Sequence, residues 1–574
     1  MGGPVVFSLY AVENKHYTSG GNQACWLETE QILHANAGHC RDPCGACEQV
    51  FTVDGLDLMN RKWIFNMKRI PRREFLKVSG AIGAGLAGWP LVSRAAQAVN
   101  KPVRPNILVF LTDDHGQWAQ HACGNSELKT PHLDLLAARG IRMRQAFTTC
   151  PVCSPARASF FTGRMPSQHG IHDWLDEKKD DLSHPGLTGQ TLISELMKDA
   201  GYHTGLIGKW HCGRTREPKP GFDRWFSYWV SQYPHQGVQH FSDEGKLVIE
   251  EGQQSPLLTR RAIDFIQGHK QKEAAGGKPF FLFISYVDTH SPHDAAPADL
   301  VGEYRSASFS DIPNEQFAAC HGQTLCPVNK DGDIHKRAEY YAAVSSVDRE
   351  VGKVLDALEA TGQMDNTLIV YTGDHGLNCG QHGTWEKGNA TIPQNFLEES
   401  IRIACTVSWP AGGIPQNATC DDMVSHPDLW ATLLDIAGAM PDAATAAKIN
   451  SPGVSYLPQL CGKTAPGWRQ TLFSEYGNAR MARTNRYKLI LRYPYAGVNF
   501  PNELYDLVED PRETINLYNN PSLKLIAQQL STEMDRFFAK YTVPGHSGLD
   551  LEHQPECTPS SPWLAAAKSI TKHS

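Results

Sequence analysis

The chain has 574 residues, which is enough for one large domain and a smaller one with ample buried core. Its hydrophobic fraction of 41% and charged fraction of 20% are ordinary for a globular protein, and its 15 cysteines are too scattered for a disulfide scaffold. Because the formal net charge is −7 and gives no sign of a basic surface for nucleic acid, we expect no nucleic-acid partner.

The first hundred residues contain a predicted export signal. Arg72 and Arg73 precede a Gly/Ala-rich apolar run over 78–92, which is too short to cross a bilayer of ~30 Å as a helix. Together with the small residues that follow, this pattern is typical of a twin-arginine signal peptide over 67–98 and predicts Tat export to the periplasm or the medium. Since signal peptides begin at a chain terminus, we expect residues 1–66 to be a mis-assigned upstream extension. A membrane anchor or a buried helix is the alternative for the apolar run.

From Asn106 onward, short β-rich runs alternate with helical patterns, which predicts an α/β domain with a largely parallel sheet over 103–452. Four strand-like runs carry this prediction: 107–112, 202–207, 280–287 and 367–372. A helix before the fourth run is indicated by valines and leucines at helical spacing from Val344 to Leu358, with Gly362 as its stop.

A smaller C-terminal subdomain is predicted over 465–545. Short runs at 471–474, 487–491 and 503–507 indicate an antiparallel sheet, and a polar helix near 522–541 would cover it. We expect the Pro/Ser-rich tail at 546–574 to be irregular.

Each of the four strand-like runs ends in polar residues, and in open α/β sheets ligands bind beyond the carboxyl ends of the strands. Asp113 and Asp114 follow the first run, and Asp374 follows the fourth. If they meet, three carboxylates provide the oxygen donors that Ca²⁺ or Mg²⁺ requires. Taken alone, an Asp-Asp pair after a strand is more often a turn or a helix cap.

Cys153 precedes a predicted helix start. Ser154 is a good N-cap and Pro155 a good first helical residue, so the cysteine should lie at the positive end of the helix dipole, with Arg157 one turn further. This arrangement favours an oxyanion. Cys150 and Cys153 also form a C-x-x-C pair, which leaves a disulfide, a redox site or half a zinc site as alternatives.

The order of these motifs resembles that of the type I sulfatases in the alkaline phosphatase-like superfamily, including bacterial arylsulfatase-like and choline-sulfatase-like members. The matching segments run from about Arg104 to Tyr541. In order, they are Asp-Asp, Cys-x-Pro-x-Arg with a following Thr-Gly-Arg, Gly-Lys-Trp-His, a histidine, Asp-His and a lysine. The resemblance implies a large mixed, mostly parallel sheet sandwiched by helices, with a smaller α+β subdomain carrying an antiparallel sheet.

The resemblance also implies chemistry at Cys153, which a maturation enzyme would oxidise to Cα-formylglycine (3-oxoalanine). One divalent cation, Ca²⁺ or else Mg²⁺, would be held by five residues: Asp113, Asp114, Cys153, Asp374 and His375. Many family members have Asn in place of His375, and His occurs in relatives that act on phosphonate and phosphate esters. The metal identity therefore stays open.

The remaining implied roles concern the sulfate group. Arg157, Lys209, Lys387 and His290 would neutralise the sulfate oxygens, and His290 or Asp374 would protonate the leaving alcohol. By the same resemblance, His211 removes a proton from the second hydroxyl of the formylglycine hydrate and so releases sulfate.

Three alternatives stay open at this stage. The same architecture serves phosphonate or phosphate ester hydrolases, and a non-catalytic sulfated-glycan binder or a redox protein would also contain a cysteine here. For a sulfatase, the substrate could be a sulfated carbohydrate, an aryl sulfate or choline sulfate. Aromatic segments at 225–240 and 493–500 are candidates for reading its organic part, unless they belong to the core.

Overall fold

A ten-stranded sheet forms the centre of the fold in the computed structural model, which describes residues 104–177, 184–230, 233–273, 277–313, 315–329 and 333–571. From Ala98 onward the chain forms one compact unit, which contains both the predicted catalytic domain and the C-terminal subdomain. The predictions for 1–66 and 67–98 concern residues outside the described part. Within these ranges, every helix is too short or too polar to cross a bilayer.

The strands are numbered in chain order. They are β1 (Asn106–Thr112), β2 (Ile141–Met143), β3 (Ala146–Phe147), β4 (His203–Gly208), β5 (Arg224–Tyr228), β6 (Val238–Asp243), β7 (Lys246–Glu251), β8 (Phe280–Ser285), β9 (Gln323–Thr324), β10 (Thr367–Gly373), β11 (Asn378–Cys379), β12 (Trp385–Glu386), β13 (Thr391–Ile392), β14 (Cys405–Ser408), β15 (Ala418–Cys420), β16 (Val424–Ser425), β17 (Leu472–Tyr476), β18 (Ala479–Arg483), β19 (Tyr487–Arg492) and β20 (Glu503–Asp506).

The α-helices of the described residues are numbered in the same way. They are α1 (Pro131–Ala138), α2 (Cys153–Thr162), α3 (Pro166–His169), α4 (Ile193–Asp199), α5 (Gln254–Glu273), α6 (Ala298–Tyr304), α7 (Ile334–Ala360), α8 (Glu398–Ile401), α9 (His426–Ala437), α10 (Ala443–Ile449), α11 (Leu457–Leu460), α12 (Lys524–Tyr541) and α13 (Pro562–Thr571). Short 3₁₀ segments lie at His121–Cys123, Ala319–His321, Gln381–Gly383, Gly388–Ala390, Pro410–Gly412, Pro521–Leu523 and Gly548–His553.

The large sheet has the order β15-β2-β14-β10-β1-β8-β4-β5-β6-β7. It is parallel at its centre and mixed at its flanks, where β2 pairs antiparallel with β14 and parallel with β15. The four predicted runs became β1, β4, β8 and β10, which are adjacent and parallel. Both faces of such a strand are buried, which explains why β1 is a continuous apolar run rather than an alternating one. The predicted mixed, mostly parallel sheet is confirmed.

Helices cover both faces of the sheet. On one face, Val109 of β1 shares a core with Phe160 of α2 and Leu433 of α9. On the other face, Leu108 packs with Val347 of α7, the long helix predicted from its valine spacing. Successive residues of a strand point to opposite faces, so β1 supplies both cores.

A separate antiparallel sheet, β17-β18-β19-β20, lies near the C-terminus and is covered by α12. Three of its strands were predicted, and β18 was not, because its sequence Ala-Arg-Met-Ala-Arg lacks β-branched and aromatic residues. The tail at 546–574, expected to be irregular, includes a 3₁₀ segment and α13, whose Trp563 ring lies 5.7 Å from that of Tyr476.

Candidate functional site

The predicted polar clusters follow four neighbouring parallel strands. Asp113 and Asp114 follow β1, Lys209 follows β4, His290 follows β8 and Asp374 follows β10. Main-chain hydrogen bonds continue the pairing of neighbouring strands past the strand ends. Asp113 N–H donates to Tyr286 O at 3.1 Å, and Asp374 N–H donates to Thr112 O at 3.2 Å. The clusters therefore converge at one edge of the sheet.

Helix α2 brings Cys153 to the same edge. Its first residue is Cys153 itself, with Val152 at the N-cap in an extended conformation (φ −155°), so the predicted cap at Ser154 is wrong by two positions. The Ser154 hydroxyl instead accepts a hydrogen bond from Leu175 N–H at 2.9 Å. The cysteine still lies at the helix N-terminus, where main-chain N–H groups favour an anion.

Cys153 contacts two of the candidate ligands. Its Sγ lies 3.5 Å from Asp113 Oδ1 and 3.3 Å from His375 Nε2. Burial and the Asp113 carboxylate raise the pKa of the thiol, but the positive charges of Lys209, Lys387 and His375 outweigh them and hold the pKa well below its ordinary value. The environment thus favours negative charge at this position.

Three buried ion pairs surround the cysteine, one for each aspartate. Lys209 pairs with Asp113, and Lys387 pairs with Asp114. Arg157 Nε donates to Asp374 Oδ2 at 2.8 Å. Because an unpaired buried charge costs several kcal/mol (roughly 3–5), this pairing makes so dense a charged cluster compatible with a folded core.

Arg157 is held by neutral partners as well. Its Nη1 donates to Ser285 Oγ at 2.7 Å and to Lys209 O at 3.1 Å. Its Nη2 is buried and has no hydrogen-bond partner among the described residues. Nη2 lies 3.7 Å from Asp113 Oδ2, so the guanidinium is fixed in place between two carboxylates.

The aspartates differ in their tendency to ionise. Burial opposes ionisation of Asp113, but Lys209 and Arg157 hold its pKa well below the ordinary value. Burial and the nearby Asp113 raise the pKa of Asp374 to about 7. For His375, burial lowers the pKa, but Asp374 and Cys153 outweigh it and raise the pKa to about 9. A bound cation would shift this balance toward the charged carboxylates.

The donor set fits a divalent cation. Candidate ligand atoms of Asp113, Cys153, Asp374 and His375 all lie within 4.8 Å of one another. His375 Nδ1 lies 3.4 Å from Asp114 Oδ1, and the other oxygen, Asp114 Oδ2, is buried without a hydrogen-bond partner in the described part of the chain. Four of the five predicted ligands thus lie together, while Asp114 groups with Asp113 and His290. A carboxylate-rich set suits a hard cation, with one imidazole nitrogen added.

Two histidines from other loops line the same cavity as Cys153. His290 Nδ1 lies 2.7 Å from Ser291 O and 2.8 Å from Tyr233 Oη. His211 Nε2 donates to Leu175 O at 3.0 Å, while its buried Nδ1 has no hydrogen-bond partner among the described residues. Each imidazole is thus anchored through one nitrogen, which leaves the other for a ligand.

A cavity of about 440 Å³ opens over Cys153, with Lys209, His211, His290 and Lys387 in its wall. This volume lies within the usual range of small-molecule sites, roughly 300–1,000 Å³.

Three residues at this centre have left-handed backbone conformations: Asp114 (φ 46°), His211 (φ 57°) and Glu386 (φ 72°). Such conformations are unfavourable for non-glycine residues and cluster at functional sites.

Sequence analysis missed Ser285, the last residue of β8, and Tyr233 among the site residues. Tyr233 lies in the aromatic segment 225–240, where its hydrogen bond to His290 has no sequence signal. In the same segment, Trp225 is fully buried core rather than a substrate contact. In the second aromatic segment, 493–500, Tyr495 lines a different cavity of about 150 Å³.

The cysteine alternatives can be judged from the same structure. All eleven cysteines of the described ranges are free thiols, Cys150 among them. Burial raises the pKa of Cys150 well above its ordinary value, in contrast to Cys153. The two thiols of the C-x-x-C pair therefore have opposite environments, which disfavours a redox pair.

Comparison with known families gives two matches. A family model described as Sulfatase matches residues 105–439, more than half of the chain. A second, described as N-sulphoglucosamine sulphohydrolase, C-terminal, matches residues 380–540.

Similar curated proteins include an N-acetylglucosamine-6-O-sulfatase of Bacteroides thetaiotaomicron, which is 26% identical over 511 residues and aligns with 75% of this chain and 86% of its own. An ulvan-active sulfatase of Formosa agariphila is 25% identical, over 78% of this chain and 83% of its own.

Two solved structures share the fold. One was determined in complex with its substrate D-glucosamine-2-N,6-O-disulfate (TM-score 0.65, 23% identity, 76% of this chain and 98% of the other). The other is a phosphonate monoester hydrolase of Agrobacterium radiobacter, with a TM-score of 0.60 and 20% identity. The match covers 77% of this chain and 97% of the hydrolase chain.

Proposed function

Because this chain belongs to the sulfatase family and is a sulfuric ester hydrolase, we propose that it uses a nucleophile made from Cys153 beside a divalent cation. Hydrolysis gives the alcohol and inorganic sulfate. The observation that carries this proposal is the position of Cys153, whose Sγ lies within 3.5 Å of both Asp113 and His375 inside a ring of buried ion pairs.

The maturation of Cys153 is part of the proposal. A maturation enzyme oxidises it to Cα-formylglycine, whose hydrated aldehyde supplies one hydroxyl for attack on sulfur and a second that permits sulfate release. Asp113, Asp114, Asp374, His375 and residue 153 would hold this cation, Ca²⁺ or Mg²⁺, and its positive charge would favour the ionised hydroxyl.

The basic residues bind the sulfate group. The Nη2 edge of Arg157 and the ammonium groups of Lys209 and Lys387 neutralise charge on the sulfate oxygens. Because these groups are buried and held by carboxylates, they need little reorganisation as the negative charge shifts during the reaction.

The histidines move protons. His211, anchored through Nε2, accepts a proton at its unpartnered Nδ1 from the hydroxyl that must ionise for sulfate to leave. His290, anchored through Nδ1, holds Nε2 toward the site and protonates the leaving oxygen. Asp374, which accepts a hydrogen bond from Arg157 Nε at 2.8 Å, is the other candidate acid.

The substrate is proposed to be a sulfated carbohydrate, since similar proteins are named as sulfatases of N-acetylglucosamine and ulvan. Aryl sulfates and choline sulfate are the other candidates. We also propose that the matured enzyme reaches the periplasm or the medium through the Tat machinery, since the sequence pattern over 67–98 is typical of a twin-arginine signal.

A phosphonate or phosphate ester hydrolase is the second candidate function. His375 favours it, because a histidine at this position occurs in relatives with that activity. A non-catalytic sulfated-glycan binder is disfavoured by the presence of the complete set of candidate acids, bases and ligands.

The experiment combines mass spectrometry with activity. The protein is produced together with a formylglycine-generating enzyme, and the peptide containing residue 153 should show an aldehyde in place of the thiol. With Ca²⁺, 4-nitrophenyl sulfate should be hydrolysed with a higher kcat/KM than the phosphate or phenylphosphonate ester. An active protein whose residue 153 is entirely unmodified thiol would refute the mechanism, and a preference for phosphonate would support the second candidate.

A further inference from the structure

The two main-chain carbonyls that flank the side chain of Lys387 both accept hydrogen bonds from side-chain amides. Asn378 Nδ2 donates to Glu386 O at 2.9 Å, and Asn395 Nδ2 donates to Lys387 O at 3.0 Å. Asn378 is fully buried and Asn395 is 3% exposed, so water does not compete for either hydrogen bond. The peptide group on each side of Lys387 is therefore fixed by a side chain from another part of the sequence.

Ser400, on α8, joins the two amides. Its Oγ accepts a hydrogen bond from Asn378 Nδ2 at 2.8 Å and donates one to Asn395 Oδ1 at 2.8 Å. The three side chains thus form one buried chain of hydrogen bonds, which we call the amide clamp (Asn378, Ser400 and Asn395). Buried polar networks of this kind rigidify the segments that they join and specify one arrangement.

The stability of the fold alone does not account for this arrangement. Glu386, whose carbonyl the clamp binds, has a left-handed backbone conformation (φ 72°), which is unfavourable for a glutamate. Asn378 Oδ1 is buried and has no hydrogen-bond partner among the described residues. A buried polar atom without a partner is also unfavourable, and such atoms call for an explanation in terms of function or of a ligand. In Asn378, the amino group is the end that makes contacts, and both contacts lead toward Lys387.

The clamp lies where the Lys387 loop meets two other loops of the active site. Gly388 N–H donates to Pro151 O at 3.1 Å, in the segment that leads to the cysteine. Gly376 N–H, directly after the Asp-His pair of the candidate cation site, donates to Ser400 O at 3.0 Å. A displacement of the clamp would therefore change how the lysine is placed relative to both the nucleophile and the cation ligands.

We propose that Asn378, Ser400 and Asn395 are positioning residues, which hold the main chain of Lys387 so that its ammonium group reaches Asp114 and the sulfate. A lysine side chain is long and flexible, so the direction of its ammonium group depends on a fixed main chain. In the described part of the chain, none of the three residues lines the active-site cavity, so they act through Lys387. This inference deepens the proposed function and rests on it, because the sulfate-binding role of Lys387 belongs to that function.

A double-mutant cycle tests whether the clamp acts through the lysine. On 4-nitrophenyl sulfate with Ca²⁺, matured Asn395→Ala protein should have a kcat/KM about tenfold lower than the parent protein, and Lys387→Met about 10²-fold lower. Adding Asn395→Ala to Lys387→Met should lower kcat/KM by no more than about twofold further, because the positioned group is already absent. A second tenfold loss in the Lys387→Met background would show that the effect does not pass through the lysine, and would overturn the proposal.

A second variant and a control complete the kinetic test. Ser400→Ala breaks the link between the amides but keeps both of them, so it should lower kcat/KM by about threefold, again only when Lys387 is present. It replaces Asn395→Ala in the cycle if that variant does not fold. Asn125→Ala is the matched control, since Asn125 is 2% exposed and donates to Tyr341 Oη at 2.8 Å. An equal loss of kcat/KM in the control would assign the effect to general destabilisation and overturn the proposal.

Crystal structures of the parent and Asn395→Ala proteins separate this inference from the proposed function. The ion pair of Lys387 with Asp114 should be present in the parent and lost or displaced in the variant. A displaced ammonium group supports the positioning role even if no sulfate ester is hydrolysed, an outcome that would contradict only the proposed function. An ammonium group that stays on Asp114 in the variant overturns the inference, whatever the activity.

Discussion

Tyr233 is hydrogen-bonded to His290, with 2.8 Å between Tyr233 Oη and His290 Nδ1. The same Nδ1 lies 2.7 Å from Ser291 O, and since a carbonyl can only accept, Nδ1 must carry a proton. Burial and Lys387 lower the pKa of His290, but Asp114 and Asp113 outweigh them and raise it, so Nε2, which lies 4.0 Å from Asp114 Oδ2, also carries a proton that the leaving oxygen can receive. Tyr233 Oη also donates to Ser291 O at 3.0 Å, so Tyr233 is a positioning residue that fixes the orientation of the His290 ring together with that carbonyl.

Tyr233→Phe should lower kcat about tenfold and change KM less, because the imidazole loses one of its two anchors. If His290 protonates the leaving oxygen, the loss should be larger for alkyl sulfates than for 4-nitrophenyl sulfate, whose leaving group needs no acid. The measurement is kcat for both esters. The control is Tyr202→Phe, which removes a buried hydroxyl that has no hydrogen-bond partner among the described residues. A loss independent of the leaving group would contradict the role assigned to His290.

Removal of the cation should abolish activity and lower stability. We expect chelation to eliminate turnover, and added Ca²⁺ to restore it and raise Tm by about 2 °C, since a ligand that binds only the folded state stabilises it by mass action. Asp374→Asn should weaken Ca²⁺ binding at least about tenfold in calorimetry. Asp299→Asn, which removes an exposed partner of Arg349, serves as the control. Full activity in the chelated protein would exclude the cation.

Much of the fold could be predicted because the patterns that determine it lie within short stretches of the sequence. The apolar runs of β1, β8 and β10 are buried on both faces, and each is followed by polar residues, so both the parallel sheet and the edge that carries the site follow from the sequence. The pairing of Lys209 with Asp113 and Lys387 with Asp114 could not be predicted, because it depends on how separate loops pack.

Variants of Cys150 and Cys153 give a further test of the mechanism. Cys153→Ala should lower kcat/KM by more than about 10³-fold, since it removes the nucleophile. Cys150→Ala should retain activity, because Cys150 packs in an apolar cluster with Phe147 and Val152. Initial rates on 4-nitrophenyl sulfate for both variants provide the measurement. Loss of activity on changing Cys150 in a protein that stays folded would revive the redox alternative.

Lys488 links the C-terminal sheet to the segment that follows Lys387. It is fully buried on β19, donates to Phe396 O at 2.6 Å and pairs with Glu398 (3.1 Å) and Glu513. Lys488→Met should lower the free energy of unfolding by about 3–5 kcal/mol, because it leaves the buried Glu513 without its lysine partner, while Glu398 keeps its ion pair with Arg483.

Denaturant unfolding measures this loss. The double variant K488M/E513Q should lose less than K488M alone, since the Glu513 carboxylate that would lack a cation is replaced by a neutral amide. Lys246→Met, at an exposed position of β7, is the control and should change stability by no more than about 0.5 kcal/mol. A change of that small size in K488M would show that the buried pairs contribute no net stability.

Two buried histidines should make the fold sensitive to acid. Burial lowers the pKa of His172 and of His426 from 6.5 to about 4. Each Nε2 donates to a carbonyl, His546 O at 2.8 Å and Gly373 O at 3.1 Å, while each Nδ1 is buried without a hydrogen-bond partner in the described ranges. Protonation of Nδ1 would therefore place an unsatisfied charged donor in the core.

The direction of the pH effect follows from proton linkage. Between pH 4 and pH 6.5 the unfolded chain binds more protons at these two histidines than the folded protein does, so stability falls as the pH drops through this window. Each residue should contribute about 2–3 kcal/mol of loss by pH 4. The free energy of unfolding in urea should fall from pH 7 to pH 5, and less steeply in His172→Gln, whose side chain does not titrate. A variant with the same slope as the parent protein would show that His172 does not carry the effect.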